Sequence, residues 1–194
     1  MVHGKATIIQ KMWGGYEQKF PQCRALYAYM YTHPGKKLNF MGNEIAQFRE
    51  WDEEKEPDNF LLEYPLHDSF KKYISDLNHL YLTEKSLHDG EYNSAMFHWL
   101  QADDPANVVY AYQRGDAGDR TVTVLNLSGR KHEDYELKID GKELLPLINS
   151  DWERYSGKTP EDHDPVEITE NSVKLDLPPM SAIIYRLVEQ KVEP

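Results

Sequence analysis

A single cysteine in 194 residues leaves no intrachain disulfide framework. That thiol, Cys23, fits a reducing compartment, and a cytoplasmic location is the expectation. Long apolar runs are absent, so no stretch reads as a bilayer span. The opening Met1-Val2-His3-Gly4-Lys5 has no apolar signal-peptide core. Basic residues are in deficit: 22 Lys and Arg stand against 33 Asp and Glu, a formal net charge of -11. Phosphate-rich partners need clustered cations, so neither a nucleic acid nor an anionic membrane is expected. A neutral ligand such as a sugar is compatible with that balance. No internal repeat, glycine-rich phosphate cradle, nucleophile elbow or His-Asp-Ser arrangement is visible. His79 and His88 are too far apart for a ligand pair, and Asp162-His163-Asp164 has no second pair to join. No metal and no cofactor is expected.

What is present changes character near Gly90. Before it, apolar residues recur at helical spacing. Phe20, Cys23, Leu26, Tyr27, Met30 and Tyr31 form one stripe, with Pro21 placing its regular start. Cys23 lies on that stripe and reads as an inert buried thiol. His33-Pro34-Gly35 ends the helix, and Lys37 to Met41 reads as a short buried strand. Phe70, Tyr73, Ile74, Leu77, Leu80 and Tyr81 form a second stripe, with Asp68 or Ser69 as N-cap. Between them runs a long charged stretch, Glu50 to Leu66, of a length that is usually functional. After Gly90 the signal alternates. Strands are read at Ala95–Gln101, Val108–Arg114, Arg120–Leu127, around Tyr135–Ile139, around Val173–Leu177 and at Ser181–Leu187. About eight short strands with regular turn signals predict an antiparallel sandwich.

The polar chemistry concentrates just beyond Met41. Gly42 stops the strand, and Asn43, Glu44, Gln47, Arg49, Glu50 and Trp51 follow. Polar groups at the C-terminal end of a barrel strand are how a (β/α) barrel floors its active site. Glycoside chemistry needs two carboxylates across the bond. Glu44 is one candidate, and Glu50, Asp52 and Asp58 are candidate partners. The plainer reading makes Glu44 a structural carboxylate. Trp51, Trp13 and Phe48 offer flat faces for sugar rings, against the commoner fate of core packing. Trp13 precedes Gly14-Gly15 and so sits on a loop. His3 has no evident partner. Trp152 and Tyr155 either form an exposed stacking platform or, as we favour, cover a seam between two domains.

These residues resemble the C-terminal part of bacterial-type 1,4-alpha-glucan (glycogen) branching enzymes, in the alpha-amylase superfamily. Val2-His3-Gly4-Lys5 is similar to the tail of "HDEVVHGK". Tyr29-Met30 and His33-Pro34-Gly35-Lys36-Lys37 through Phe40-Met41-Gly42-Asn43-Glu44 are similar to "YM–HPGKKL-FMG-E". Gln47, Arg49-Glu50-Trp51 and Leu61-Leu62-Glu63 follow "FAQ-REW" and "W-LLE". Leu147-Ile148-Asn149-Ser150-Asp151, Tyr155-Ser156-Gly157 and Leu177-Pro178-Pro179-Met180-Ser181-Ala182 follow "LNSD—YGGSG" and "LPPLSA". Asn59-Phe60 departs from the family's "DW", and Ser156 replaces a glycine.

The resemblance implies an α+β chain in two parts. Residues 1–91 would be the end of a (β/α)8 barrel: a helix, strand eight and the closing helix. Residues 92–194 would be the all-β alpha-amylase-type C-terminal domain. The implied reaction is a retaining transfer of alpha-1,4-glucan segments to a 6-hydroxyl, with alpha-1,4-glucan or glycogen as partner. The family's two catalytic Asp residues and acid/base Glu match no position here, so no catalytic residue is assigned. The isolated chain is then expected to be inactive. His3, Trp13, Asn43, Glu44, Gln47 and Trp51 are implied substrate contacts. The alternative is a non-catalytic glucan-binding or scaffolding module. Apolar surface left by an open barrel is expected to pack on the β-rich part or to drive self-association.

Overall fold

A computed structural model describes residue 4 and residues 6–189 of the chain. Thr7 opens a short helix α1 (Ile8–Lys11) with a reciprocal cap: its hydroxyl accepts from the Gln10 amide at 3.4 Å, and the Gln10 side chain accepts from its own N–H at 3.1 Å. Helix α2 (Tyr16–Thr32) begins before Pro21, earlier than the sequence predicts. Side-chain amides hold the added turn. Gln18 Oε1 accepts from Gly15 N–H at 2.8 Å, and Gln22 Nε2 donates to the Gln18 carbonyl at 2.7 Å. Phe20, Cys23, Tyr27 and Tyr31 are buried as predicted, but Leu26 is exposed. Helix α3 (Pro65–Thr83) starts at a proline in its first turn, ahead of Asp68 and Ser69, because that position needs no N–H. Its predicted stripe is buried from Phe70 to Leu80. A short helix α4 (Lys85–His88) follows.

Eight strands follow: β1 (Phe97–Gln101), β2 (Val109–Asp116), β3 (Asp119–Asn126), β4 (His132–Lys138), β5 (Glu143–Asn149), β6 (Val166–Glu167), β7 (Ser172–Leu177) and β8 (Ser181–Val188). Six form one antiparallel sheet in the order β1-β2-β3-β8-β5-β6, and β4 pairs with β7 in a second. The sheets face each other across Val109, Val122, Val124, Leu137, Leu175, Ile183 and Leu187. The opposite face of the large sheet is buried too. Tyr112, Leu125, Ile148, Ala182 and Ile184 join Phe20, Tyr27, Phe70, Tyr73 and Leu77 of α2 and α3 in one core. Burial on both faces explains why β3 and β8 hide nearly every residue. Packing of the helices on the sheet is one of the two arrangements expected for them.

Three arginines stitch that seam. Arg24 on α2 is fully buried and donates from Nε to the Ser150 carbonyl at 2.5 Å. Arg114 on β2 donates to the Thr32 carbonyl at 3.1 Å and the Leu87 carbonyl at 3.3 Å, putting a cation where two helices end. Arg186 on β8 pairs with Glu84 through Nε and Nη2, one to each carboxylate oxygen. Trp152 and Tyr155 are buried here as well, and the Tyr155 hydroxyl donates to Asp76 at 2.7 Å. They cover the seam and offer no exposed platform.

The strand predicted at Lys37 to Met41 does not form. Residues 36–40 carry no ladder pairing. A strand needs a neighbouring backbone to bond, and the described residues supply none there. The alternation of a strand survives: Leu38 and Phe40 are exposed at 71% and 46%, while Asn39 turns inward to accept from the Tyr27 hydroxyl at 3.0 Å.

Candidate functional site

The unpaired segment 36–40 delivers the chain to Gly42, whose φ of +82° is a left-handed turn. A single 3-10 turn, Asn43–Ile45, follows, and Ala46 is left-handed again at +53°. Two reversals this close fold the segment back on itself. Gln47 N–H donates to the Gly42 carbonyl at 2.9 Å. The buried Gln47 amide then organises the loop beyond. It donates to the Arg49 carbonyl at 2.8 Å and accepts from the Asp58 N–H at 2.7 Å. His67 on α3 closes the back by donating Nδ1–H to the Ile45 carbonyl at 2.7 Å. Aromatic rings of Phe20 and Phe48 pack edge-on against it, and burial lowers its pKa.

The charged residues of the loop are engaged in structure. Arg49 reaches Asp58 with Nε at 3.1 Å and Nη2 at 2.8 Å, and donates to the Glu56 carbonyl at 2.8 Å. The bond to Asp58 raises the Arg49 pKa. Both Glu50 oxygens accept backbone N–H groups, from Gly4 at 2.6 Å and Ala6 at 2.7 Å. Asp52 pairs with Lys55 at 2.8 Å, which lowers its pKa. The three carboxylates considered as partners for Glu44 thus each make structural bonds, Asp52 and Asp58 within the loop and Glu50 to the backbone of the N-terminal segment. Glu44 is half-buried beside the Tyr27 phenol, whose pKa rises chiefly through burial, with the Glu44 charge adding to the effect.

Asn43, Glu44, Gln47 and Trp51 therefore share one loop system. Asn43 and Gln47 are buried, Glu44 and Trp51 are half-buried, and Trp51 meets Phe40 edge-to-face with centroids 5.5 Å apart. His3 falls outside the described residues. Trp13 belongs to a different neighbourhood, on the turn between α1 and α2, where the residue is 76% exposed. It borders a cleft of about 750 Å³ that also involves Pro21, Lys131, Lys158, Pro160 and Pro179. Sequence reading does not find this cleft, because it joins the start of α2 to connections more than a hundred residues away. Among the described residues, no group of three His, Cys, Asp or Glu side chains is placed to hold a metal ion, and no helix is long and apolar enough to cross a membrane.

Comparison with known proteins supplies the family context. A family model described as alpha amylase, C-terminal all-beta domain, matches residues 99–188. The 1,4-alpha-glucan branching enzyme GlgB of Pseudomonas syringae pv. syringae is 40% identical over 96% of this chain and 26% of its own length. The enzyme of the same name from Halothermothrix orenii is 33% identical over 98% of this chain and 32% of its own. That from Aquifex aeolicus is 37% identical over 96% and 31%. The chain thus spans about a quarter to a third of the length of these relatives. An Anoxybacillus alpha-amylase structure superposes with a TM-score of 0.59 at 20% identity, covering 90% of this chain and 34% of the other. A maltotriose complex of an AmyP variant gives 0.65 at 13%, covering 91% and 36%. At such identities these two speak for the fold alone. Along nearly its whole length the chain is a relative of the 1,4-alpha-glucan branching enzymes, and it carries the all-beta C-terminal domain of the alpha-amylase superfamily.

Proposed function

We propose that the chain serves a 1,4-alpha-glucan branching enzyme as the closing end of its catalytic barrel, residues 1–91, joined to its C-terminal domain, residues 92–194. Residues 36–40 take the place of barrel strand eight, α3 that of the closing helix, and the Gly42–Trp51 loop lies at the barrel mouth. The observation that carries this reading is the unpaired segment 36–40 with its alternating burial. Leu38 is largely exposed and Phe40 is covered only by the edge of Trp51, while the neighbouring Asn39 is held inward. Flanking barrel strands would pair that backbone and bury those side chains. The segment ends at the turn that presents Asn43, Glu44, Gln47 and Trp51, as barrel active sites are built.

In this reading the alpha-1,4-glucan meets His3, Asn43, Glu44, Gln47 and Trp51 at the barrel mouth and Trp13 beyond it. The nucleophile and the acid/base needed for a retaining transfer come from outside this chain. Glu44 contributes hydrogen bonding and charge at the acceptor side. Without such a carboxylate pair the isolated chain is inactive. The test is a branching assay on amylose. The purified chain is expected to form no alpha-1,6 linkages, and a fusion to the remaining portion of the Pseudomonas syringae relative is expected to form them. Branching by the chain alone overturns the assignment of catalysis elsewhere. A folded fusion without activity overturns the barrel reading.

A further inference from the structure

We propose that the cleft beside Trp13 is a separate groove for a linear alpha-1,4-glucan, running between the start of α2 and the connections from β3 to β4, β5 to β6 and β7 to β8. This deepens the glucan reading above and rests on it. It gives Trp13 a site of its own, apart from the barrel-mouth contacts.

The first observation is the presentation of Trp13. A tryptophan at 76% exposure forgoes the burial that this side chain normally finds. Its backbone is nonetheless fixed on both sides. Trp13 N–H donates to Gln22 Oε1 at 3.0 Å, and Gln22 Nε2 donates to the Trp13 carbonyl at 2.8 Å. Lys19 Nζ donates to the Gln10 carbonyl at 3.2 Å and also to the Met12 carbonyl. The ring stands on a braced turn. The opposite wall is equally ordered. Asp151 Oδ2 accepts from the Thr159 hydroxyl at 2.8 Å and from Lys158 N–H at 3.3 Å. Gly157 lies so close that a β-carbon there would sit 1.9 Å from the Asp151 carbonyl oxygen.

The second observation is charge. The lining holds two cations, Lys131 and Lys158, and two anions, Asp151 and Asp176, with Lys131 and Asp176 paired at 3.3 Å. The groove is balanced on a molecule of net charge -11, which suits a neutral ligand. The flat faces are Trp13 and the prolines, and the polar rim carries amide, ammonium and carboxylate groups. That combination of an apolar plane with hydrogen-bonding edges matches a sugar ring. The third observation is length. A second cleft of about 430 Å³ shares Gln18, Pro21, Asp151 and Lys158 with the first. Two joined lobes suit a chain of several rings.

The test titrates the 194-residue chain with maltoheptaose, followed by tryptophan fluorescence and by retardation in amylose gels. Saturable binding is expected. Trp13→Ala is expected to weaken it by about tenfold or more with an unchanged melting curve, because the indole supports no core. Tyr92→Ala, at another exposed aromatic, is expected to stay within about twofold. Cellohexaose and a proline-rich peptide are expected not to compete. Binding that depends on Trp51 and is indifferent to Trp13 overturns the groove and leaves the glucan reading standing. Failure of the wild-type chain to bind overturns the groove, while the amylose fusion assay decides the wider reading by itself. Competition by the peptide reassigns the groove to a polypeptide and overturns the proposal.

Discussion

Gly42 and Gln47 show how closely single residues define the candidate loop. A β-carbon at Gly42 would stand 2.7 Å from Gln47 Oε1, at a φ of +82° that side chains rarely adopt. Gly42→Ala is therefore expected to cost about 1–2 kcal/mol from backbone strain alone, with the clash against Gln47 added. Urea denaturation reads it, and an unchanged midpoint would contradict the turn. Gln47→Ala leaves the Asp58 N–H and the Arg49 carbonyl without their partner. Both groups are part-buried, so each is expected to cost less than the roughly 1–3 kcal/mol of a fully buried orphan, and faster hydrogen exchange at Asp58 locates the loss. His67 adds a pH dependence. Burial lowers its pKa below the usual 6.5, so folding favours the neutral ring that donates to Ile45. The unfolded chain binds the proton more readily. Its contribution is fully present above 6.5 and is lost as pH falls through the lowered folded value. The midpoint of denaturation is expected to drop on acidification below 6.5, and His67→Gln is expected to flatten that drop. A parallel drop in both proteins would assign the acid sensitivity elsewhere.

At the scale of elements, legibility follows the neighbours each element finds. The α3 stripe reads cleanly because one face meets a core and the other meets water. β3 and β7 read from alternation, and β2 and β8 from short apolar runs bounded by turn signals, as suits strands buried on both faces. β5 is missed because Pro146 interrupts it. In the fold Pro146 sits beside a register shift between Pro146 and Ile148, where a missing N–H is tolerated. Residues 36–40 err in the other direction: the strand pattern is there, but no adjacent backbone pairs with it. The motif from Gly42 to Trp51 is legible because its residues are contiguous. The Trp13 groove is not, since α2 and the β5–β6 connection meet only in three dimensions. Arg24 was equally invisible, a charge on an apolar stripe whose partner, the Ser150 carbonyl, lies 126 positions away. Arg24→Ala removes both the bond and the packed stem between α2 and the end of β5. A loss of about 3 kcal/mol is expected, within the range for breaking buried polar links. Arg24→Met restores volume without charge and is expected to recover part of that loss. Equal destabilisation by the two would mean that the hydrogen bond, and not the packing, dominates.

At the scale of the whole molecule, the helical and β-rich parts share a core. Phe20, Tyr27, Phe70, Tyr73 and Leu77 contact a cluster that includes Tyr112, Leu125, Ala182 and Ile184 from the large sheet. The Thr32 and Tyr112 hydroxyls bond at 2.6 Å across the same seam, and Tyr73 donates to the Arg24 carbonyl at 3.0 Å beneath it. Separating the parts would expose those apolar faces to water, at about 25 cal/mol for each Å² uncovered, and would strand the buried arginines. Neither part then gains by unfolding first. A single cooperative transition is the expected outcome, with fluorescence, near-ultraviolet dichroism and calorimetry giving one midpoint. Ile184→Ala, placed on the sheet, should lower the helical and β signals together, by about 2–5 kcal/mol for a core truncation of this kind. Two resolved transitions, with α2 and α3 melting below the sheet, would show that the seam couples the parts weakly. A single transition that Ile184→Ala shifts as a unit would show that the helices are held on the sheet by the core they share.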